Sequence, residues 1–442
     1  MGKVLLVISV LTTVFSTLLR PWIGIIAYYF LAILGPQYIW WWTFDGLRVS
    51  LWVAIATFGG ITFALVKHGL DFTFFRTRLN FWLFVLWLNI NISYFLGPYV
   101  SQFAASGLSP EQVYSVTNNI FLFYFCSTLV INGPKSLRYL AFVFVIASLY
   151  LIFWANNQYF TQNWSQFNMG RLMGPHRLDG SSIYGDENAF AMLFVTAIPF
   201  IYYLGLAIPK VIYRYLVWLA IPFGWHAVFL TGSRGGLIGL LITVFIVVIQ
   251  SKRKLLALPL ILAFIIAYQW QGGSIMKQRG QMIADYQGES SAEMRVTAWS
   301  AGLKMIASHP ITGVGIGSFI TALPHFSDTT PRVAHNTFIQ FTAESGLGAG
   351  FAYLMILGSF LNNCRQIRNC CKNNKHHAEI PIIHLLNAAS TVSFIGLITC
   401  SIFLSLNIYE IFFFLLIFNN TLMVYCMQLN TSLSDGIDIE QT

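Results

Sequence analysis

Thirteen apolar segments punctuate the chain, near 4–19, 21–40, 50–66, 79–96, 113–131, 137–155, 188–208, 211–230, 235–250, 255–270, 338–360, 382–406 and 408–428. Most have the ~17–25 residues that a helix needs to cross a bilayer. Backbone groups find no partner in lipid, so each segment is expected to be a helix that pairs its own N–H and C=O groups. The pattern predicts an all-α polytopic membrane protein with about 12 transmembrane helices. The first two segments meet at Arg20-Pro21, and whether they form one broken element or two spans leaves the side of the N-terminus open. Lys3 and the apolar run after it imitate a signal peptide, but Arg20-Pro21 is a poor cleavage site and apolar sequence resumes at once, so the segment is expected to be retained.

Two polar stretches interrupt this rhythm, 156–187 and, much the larger, 271–337. The expected organisation is therefore a block of N-terminal transmembrane helices over 1–270 with an outer loop at 156–187. A long outer loop, the candidate seat of the chemistry, follows over 271–337, then C-terminal transmembrane helices over 338–428 and a cytoplasmic tail over 429–442. Ten segments precede the long loop and three follow it, so membrane insertion alone does not explain its size.

Composition supports the membrane reading. The chain is 56% hydrophobic and 9% charged, where soluble domains carry about 25% charged residues. The net charge of +9 need not mean nucleic acid, and none is expected as a partner. Of the 25 basic residues, 15 lie in alternate short loops: Arg20; Lys67, Arg76, Arg78; Lys135, Arg138; Lys210, Arg214; Lys252, Arg253, Lys254; Arg365, Arg368, Lys372, Lys375. Only Asp71 and Glu379 oppose them, so this side is cytoplasmic. The loops 156–187, 231–234 and 271–337 and the turn near Asn407–Glu410 fall on the other side. Trp40, Trp41 and Trp42 read as an interfacial belt.

Cys126, Cys400 and Cys426 lie within apolar segments. Cys364, Cys370 and Cys371 share a basic stretch with His376 and His377, in a spacing that fits no regular zinc pattern, so a reduced cytoplasmic loop is expected.

The outer side carries the candidate chemistry. Thr231-Gly232-Ser233-Arg234-Gly235-Gly236 ends one segment and opens the next. Glycines let a ligand approach the backbone, free N–H groups at a helix start favour an anion, and the Arg234 fork suits phosphate oxygens. Its bland reading is an interfacial arginine that anchors a helix end.

Ser290-Ser291-Ala292-Glu293 resembles a capping box opening a helix that ends by His309-Pro310. Arg295 and Trp299 lie one turn apart on its flank; by itself Arg295 reads equally as a solvated charge. Gly313-Val314-Gly315-Ile316-Gly317 lacks the strand and lysine of a nucleotide loop and reads as close loop–helix packing. His335-Asn336 stands where the chain re-enters the membrane, and a histidine titrating near neutrality can take a proton from a hydroxyl. Its bland reading is an interfacial histidine with satisfied hydrogen bonds. His309 and His325 are weaker candidates.

Arg171, His176, Arg177 and Asp179 lie in the earlier outer loop, and Asp186 is expected to cap the next helix. A metal pair at Asp186-Glu187 is less favoured, since no Asp-x-Asp motif or histidine cluster is present; no metal and no cofactor are expected.

Four motifs, Leu230-Thr231-Gly232-Ser233-Arg234-Gly235-Gly236, Arg295-x-x-x-Trp299, His309-Pro310-Ile311-Thr312-Gly313-Val314-Gly315 and Ala334-His335-Asn336-Thr337-Phe338, come in the order found in the bacterial O-antigen ligase superfamily. That superfamily also includes O-antigen polymerases and protein O-oligosaccharyltransferases. Gly185-Asp186-Glu187-Asn188-Ala189-Phe190-Ala191, Ile198-Pro199 and Arg20-Pro21-Trp22-Ile23-Gly24 resemble the branch of O-glycosylation ligases of exosortase systems, although Asp186-Glu187 departs from that branch's Asp-Asn pair.

The resemblance implies a GT-C-like glycosyltransferase architecture in the bacterial inner membrane, with its active site facing the periplasm. It implies metal-free transfer from an undecaprenyl-pyrophosphate-linked glycan donor to a hydroxyl of lipid A core, another glycan or a protein. Carried over by motif, Arg234 and Arg295 would hold the pyrophosphate and His335 would activate the acceptor. Arg177, Arg171, Asn336, Gly235 and Gly236 are the further substrate-binding candidates. The rival within the class is a polymerase on the same carrier. An exporter or flippase should carry charges along its spans, and here the spans have almost none.

Overall fold

The computed structural model describes residues 2–102, 108–176, 184–250, 262, 266, 291–405 and 409–435. The Arg177 candidate, most of the expected segment at 255–270, the loop up to Ser290, Asn407 and the tail beyond 435 lie outside the described residues. Among the described residues, ten helices are long and apolar enough to cross a membrane. The protein is an all-α polytopic membrane protein; the strands among the described residues are two short ones, Phe167–Asn168 and Arg171–Leu172, paired antiparallel.

Most elements fall where hydropathy put them. The segment expected at 211–230 differs, arriving as two helices, Val211–Trp218 and Ala220–Thr231. Pro222 explains the break: its ring clashes with the carbonyl four residues back and it has no N–H to donate there. The re-entrant helix is longer than its apolar stretch, running Thr337–Asn373. Cys364, Cys370 and Cys371 therefore sit on a buried helical face rather than in a loop, and all six cysteines are free and buried.

The first two segments are separate helices, Gly2–Leu19 and Pro21–Leu34, packed on each other. Lys3 Nζ donates to the Asp45 carbonyl at 3.3 Å, so the chain starts at the end that holds the 41–48 turn, opposite Arg20. At the Arg20 end, Gln428 Nε2 donates to Asp71 Oδ2 at 3.3 Å, Asn374 Nδ2 to Asn430 Oδ1 at 2.8 Å, and Tyr425 to Glu379. These bonds draw the polar loops of that end together.

The centre of the bundle is the helix Glu187–Leu206, whose residues from Ala189 to Ile201 are all buried. The helices Pro134–Phe160, Ala220–Thr231, Arg234–Gln250 and Ile380–Ser401 pack around it. Its N-terminus therefore begins among these helices. A second, smaller core of Ala301, Met305, Val314, Phe319, Leu323 and Ala334 organises the 291–334 segment against the start of Thr337–Asn373.

Candidate functional site

The central helix begins with a side-chain cap: Asp186 Oδ1 accepts from the N–H groups of Asn188 at 2.7 Å and Ala189 at 3.1 Å. Asn188 Oδ1 accepts from Ser233 Oγ at 2.7 Å, and Ser233 Oγ accepts from the Gly236 N–H at 3.1 Å. This chain of bonds fixes the 231–236 turn beside the central N-terminus. Gly232 stops the preceding helix in the left-handed conformation, φ +60°. Arg234 then opens the next helix with its side chain exposed. Gly235 and Gly236 are buried, and the Gly236 N–H is already satisfied by Ser233, so these residues shape the turn.

Arg171 reaches the site on a hairpin. Met169 and Gly170 both take positive φ, 48° and 72°, the requirement of the tight two-residue turn that matches strand twist. The second strand delivers Arg171 into an ion pair with Glu187 at the central helix start. Arg171 is therefore one half of a pair.

Arg295 sits on the helix Ser291–Ser308, with Glu293 in its first turn. One turn on, Trp299 Nε1 donates to the Ala334 carbonyl at 2.8 Å. His335 takes φ +49°, a left-handed conformation that the sequence did not announce. Asn336 then caps the re-entrant helix through Oδ1 to the Ile339 N–H at 3.0 Å and donates Nδ2 to the Ile402 carbonyl at 3.3 Å. The Asn336 side chain, a substrate-binding candidate by motif, is thus occupied in holding the re-entry point.

The glycines of the 313–317 run all have positive φ. A Cβ on Gly313 would lie 2.2 Å from the Glu344 carbonyl oxygen, and the Gly315 N–H donates to that oxygen at 3.0 Å. The run therefore interlocks with the re-entrant helix where it kinks at Ser345–Gly346.

Charge–charge effects link these pieces, and such effects fade with separation. Arg295 is pulled below the ordinary arginine value by burial first and next by the Arg234 guanidinium, with Asp186 and Glu187 opposing and Arg171 adding to the pull. His335 is held below the ordinary histidine value, again chiefly by burial. Asp186 opposes, Arg295 lowers, Glu187 opposes and Arg332 lowers. Arg295 is thus coupled by charge to both Arg234 and His335. The buried Nδ1 of His335 has no hydrogen-bond partner among the described residues. Among these residues no group of three or more His, Cys, Asp and Glu side chains could hold a metal ion.

The sequence does not point to Arg332, and it offers Glu187 only as the less favoured half of a metal pair with Asp186. Arg332 lies three positions before His335 on the same re-entry stretch, a nearness available to inspection. The Arg171–Glu187 pairing spans 16 residues and had no such signal.

Comparison with protein families matches residues 216–354 to the family described as O-Antigen ligase, and residues 1–158 to a family of unknown function (DUF5935). Among curated proteins none matches. The first match contains Arg234, Arg295 and His335. The 216–354 match supports a place in the O-antigen ligase superfamily, and that family implies a multi-pass membrane enzyme of the glycosyl-transferring ligase or polymerase kind.

Proposed function

We propose that the protein is a ligase of the bacterial inner membrane, GT-C-like in architecture. It transfers a glycan from undecaprenyl pyrophosphate to an acceptor hydroxyl, of lipid A core or of a protein, on the periplasmic face. What supports this reading is that Arg295 feels the charge of Arg234 and His335 that of Arg295, with all three inside the O-antigen ligase match.

In the step itself the acceptor oxygen attacks the anomeric carbon of the donor's first sugar. The bond from that carbon to the pyrophosphate oxygen breaks, and undecaprenyl pyrophosphate leaves with the electron pair. Arg234 and Arg295 neutralise the charge that grows on the departing diphosphate, where preorganised cations act most strongly. His335 takes the acceptor's proton, a task that needs the neutral ring. Burial and the cations Arg295 and Arg332 favour that neutral form. The arginines supply the positive charge, so the reaction is expected to proceed without a metal ion.

The test is transfer by purified protein from a lipid-linked glycan to lipid A core, protein and glycan acceptors in parallel, with and without EDTA. The reading expects a new glycoconjugate on lipid A core or protein and no loss with EDTA. Elongation of the glycan on its own carrier would instead make the protein a polymerase, and no transfer to any hydroxyl would refute both.

A further inference from the structure

The residue that precedes His335 is held in a way that no contact with substrate accounts for. Ala334 is fully buried, and both of its backbone groups are taken. Its N–H donates to Gln340 Oε1 at 2.9 Å, and its carbonyl accepts from Trp299 Nε1 at 2.8 Å. The two partners come from different elements, Gln340 from the re-entrant helix and Trp299 from the helix that carries Arg295.

The Gln340 amide is itself fixed. Its Oε1 also accepts from Ser405 Oγ at 3.1 Å, and its Nε2 donates to Glu344 Oε1 at 2.6 Å. This assigns the amide's orientation, since a flip would set its NH₂ against the Ala334 N–H and its oxygen against a carboxylate. Glu344 Oε1 further accepts from the Phe319 N–H at 3.3 Å. Gln340 is 3% exposed and Glu344 1%, so water does not compete for these bonds.

The clamp bears on His335 because of its backbone. Left-handed φ is disfavoured for any residue with a Cβ and persists only where the surroundings impose it. Here Ala334 is pinned on one side, and Asn336 on the other through its bonds to Ile339 and Ile402. Among the described residues the ring lacks the usual alternative, a carboxylate or carbonyl on Nδ1 that would orient it.

We infer that Gln340 and Trp299 are positioning residues. They grip the peptide groups flanking Ala334 from two elements, hold His335 in its left-handed conformation and so aim its imidazole into the arginine-lined space, with Glu344 orienting the Gln340 amide. The inference rests on the role proposed for His335. Misplacing a reacting group by about 1 Å costs on the order of 100-fold in rate.

The experiment measures kcat, KM for the lipid-linked donor and the pH profile of transfer for Gln340→Met, Trp299→Phe, Glu344→Gln and His335→Ala, and for Gln340→Met combined with His335→Ala. Gln340→Met should lower kcat roughly 10- to 100-fold. Donor KM should hold within about two-fold, and the acid limb of the profile should move to higher pH as the ring gains water. Trp299→Phe should act in the same direction. It removes one N–H and keeps an aromatic ring, so it reads the clamp even where Gln340→Met accumulates poorly. Glu344→Gln keeps an acceptor for the Gln340 NH₂ and should lose less than Gln340→Met. In the His335→Ala background, Gln340→Met should cost nothing further, because the group it positions is gone.

Wild-type kcat and pH profile in both Gln340→Met and Trp299→Phe, beside a His335→Ala variant reduced to residual transfer, would overturn this inference alone. So would a full additional loss in the double variant. Wild-type transfer by His335→Ala would overturn the proposed role of His335 and this inference with it.

Discussion

Alanine at position 346 makes a sharp test of how the site is seated. Gly346 has φ +81° and ψ 173°, a conformation essentially restricted to glycine. A Cβ there would lie 2.1 Å from the Ile311 carbonyl oxygen and 3.0 Å from that of Pro310. The obstacles are backbone atoms, which do not swing away as a flexible side chain would. The Leu347 N–H also donates to the Pro310 carbonyl at 2.8 Å, so the loop has little room to retreat. The backbone conformation costs alanine about 1–3 kcal/mol, and overpacking adds about 1–3 kcal/mol. Gly346→Ala should therefore destabilise the protein by about 2–6 kcal/mol, at least a ~30-fold fall in the folded-to-unfolded ratio. Gly358 on the same helix is the internal control, since a Cβ there meets nothing within 4 Å. Alanine in a helix interior is favoured over glycine by roughly 0.5–1 kcal/mol. Thermal unfolding in one detergent, followed by tryptophan fluorescence, should show the two substitutions moving the midpoint in opposite directions. An unchanged midpoint for Gly346→Ala, or an equal fall for Gly358→Ala, would refute the interlock.

Two further outcomes are expected. His335 is needed neutral and is held below the ordinary histidine value by burial, with Arg332 among its lowering neighbours. Transfer should accordingly hold from neutral pH down through ~6.5 and fall below it, and Arg332→Gln should move that limb upward. A wild-type limb above ~6.5, or a downward move in Arg332→Gln, would contradict the assignment. Arg171 is 41% exposed and paired with Glu187, so Arg171→Ala should cost at most about 1 kcal/mol of stability. Combined with Glu187→Gln, it should cost less than the two singles added, since the pair acts as a unit. Loss of transfer by Arg171→Ala as complete as by Arg234→Ala would show that Arg171 grips the donor directly.

The spans were legible because lipid imposes one strong rule, and Arg78–Leu96, Glu187–Leu206 and Glu410–Thr431 start and stop close to where hydropathy changes. Hydropathy reports the membrane rather than the helix, so it lost Thr337–Asn373 beyond the apolar stretch. The burial of Cys364, Ile367 and Cys370 at intervals of three shows that helical periodicity continues there. In the site, Arg234, Arg295 and His335 were legible as charged or titratable groups at segment ends. The Asp186 cap was legible as a local pattern. The rest is non-local: the bond from Trp299 to Ala334 crosses 35 residues, and that from Asn336 to Ile402 crosses 66. The left-handed backbone of His335 follows from those contacts rather than from its own residue type.

The central claim is that two guanidinium groups hold the donor's diphosphate while one imidazole serves the acceptor. The direct measurement is donor binding and transfer, side by side, for Arg234→Ala, Arg295→Ala and His335→Ala, using one lipid-linked glycan and protein shown to be folded. Each arginine variant should lose about 100- to 1,000-fold in kcat/KM together with donor affinity. His335→Ala should bind the donor as wild type does and transfer it only at a small residual rate. Unimpaired transfer by either arginine variant, or lost donor binding in His335→Ala, would contradict the account.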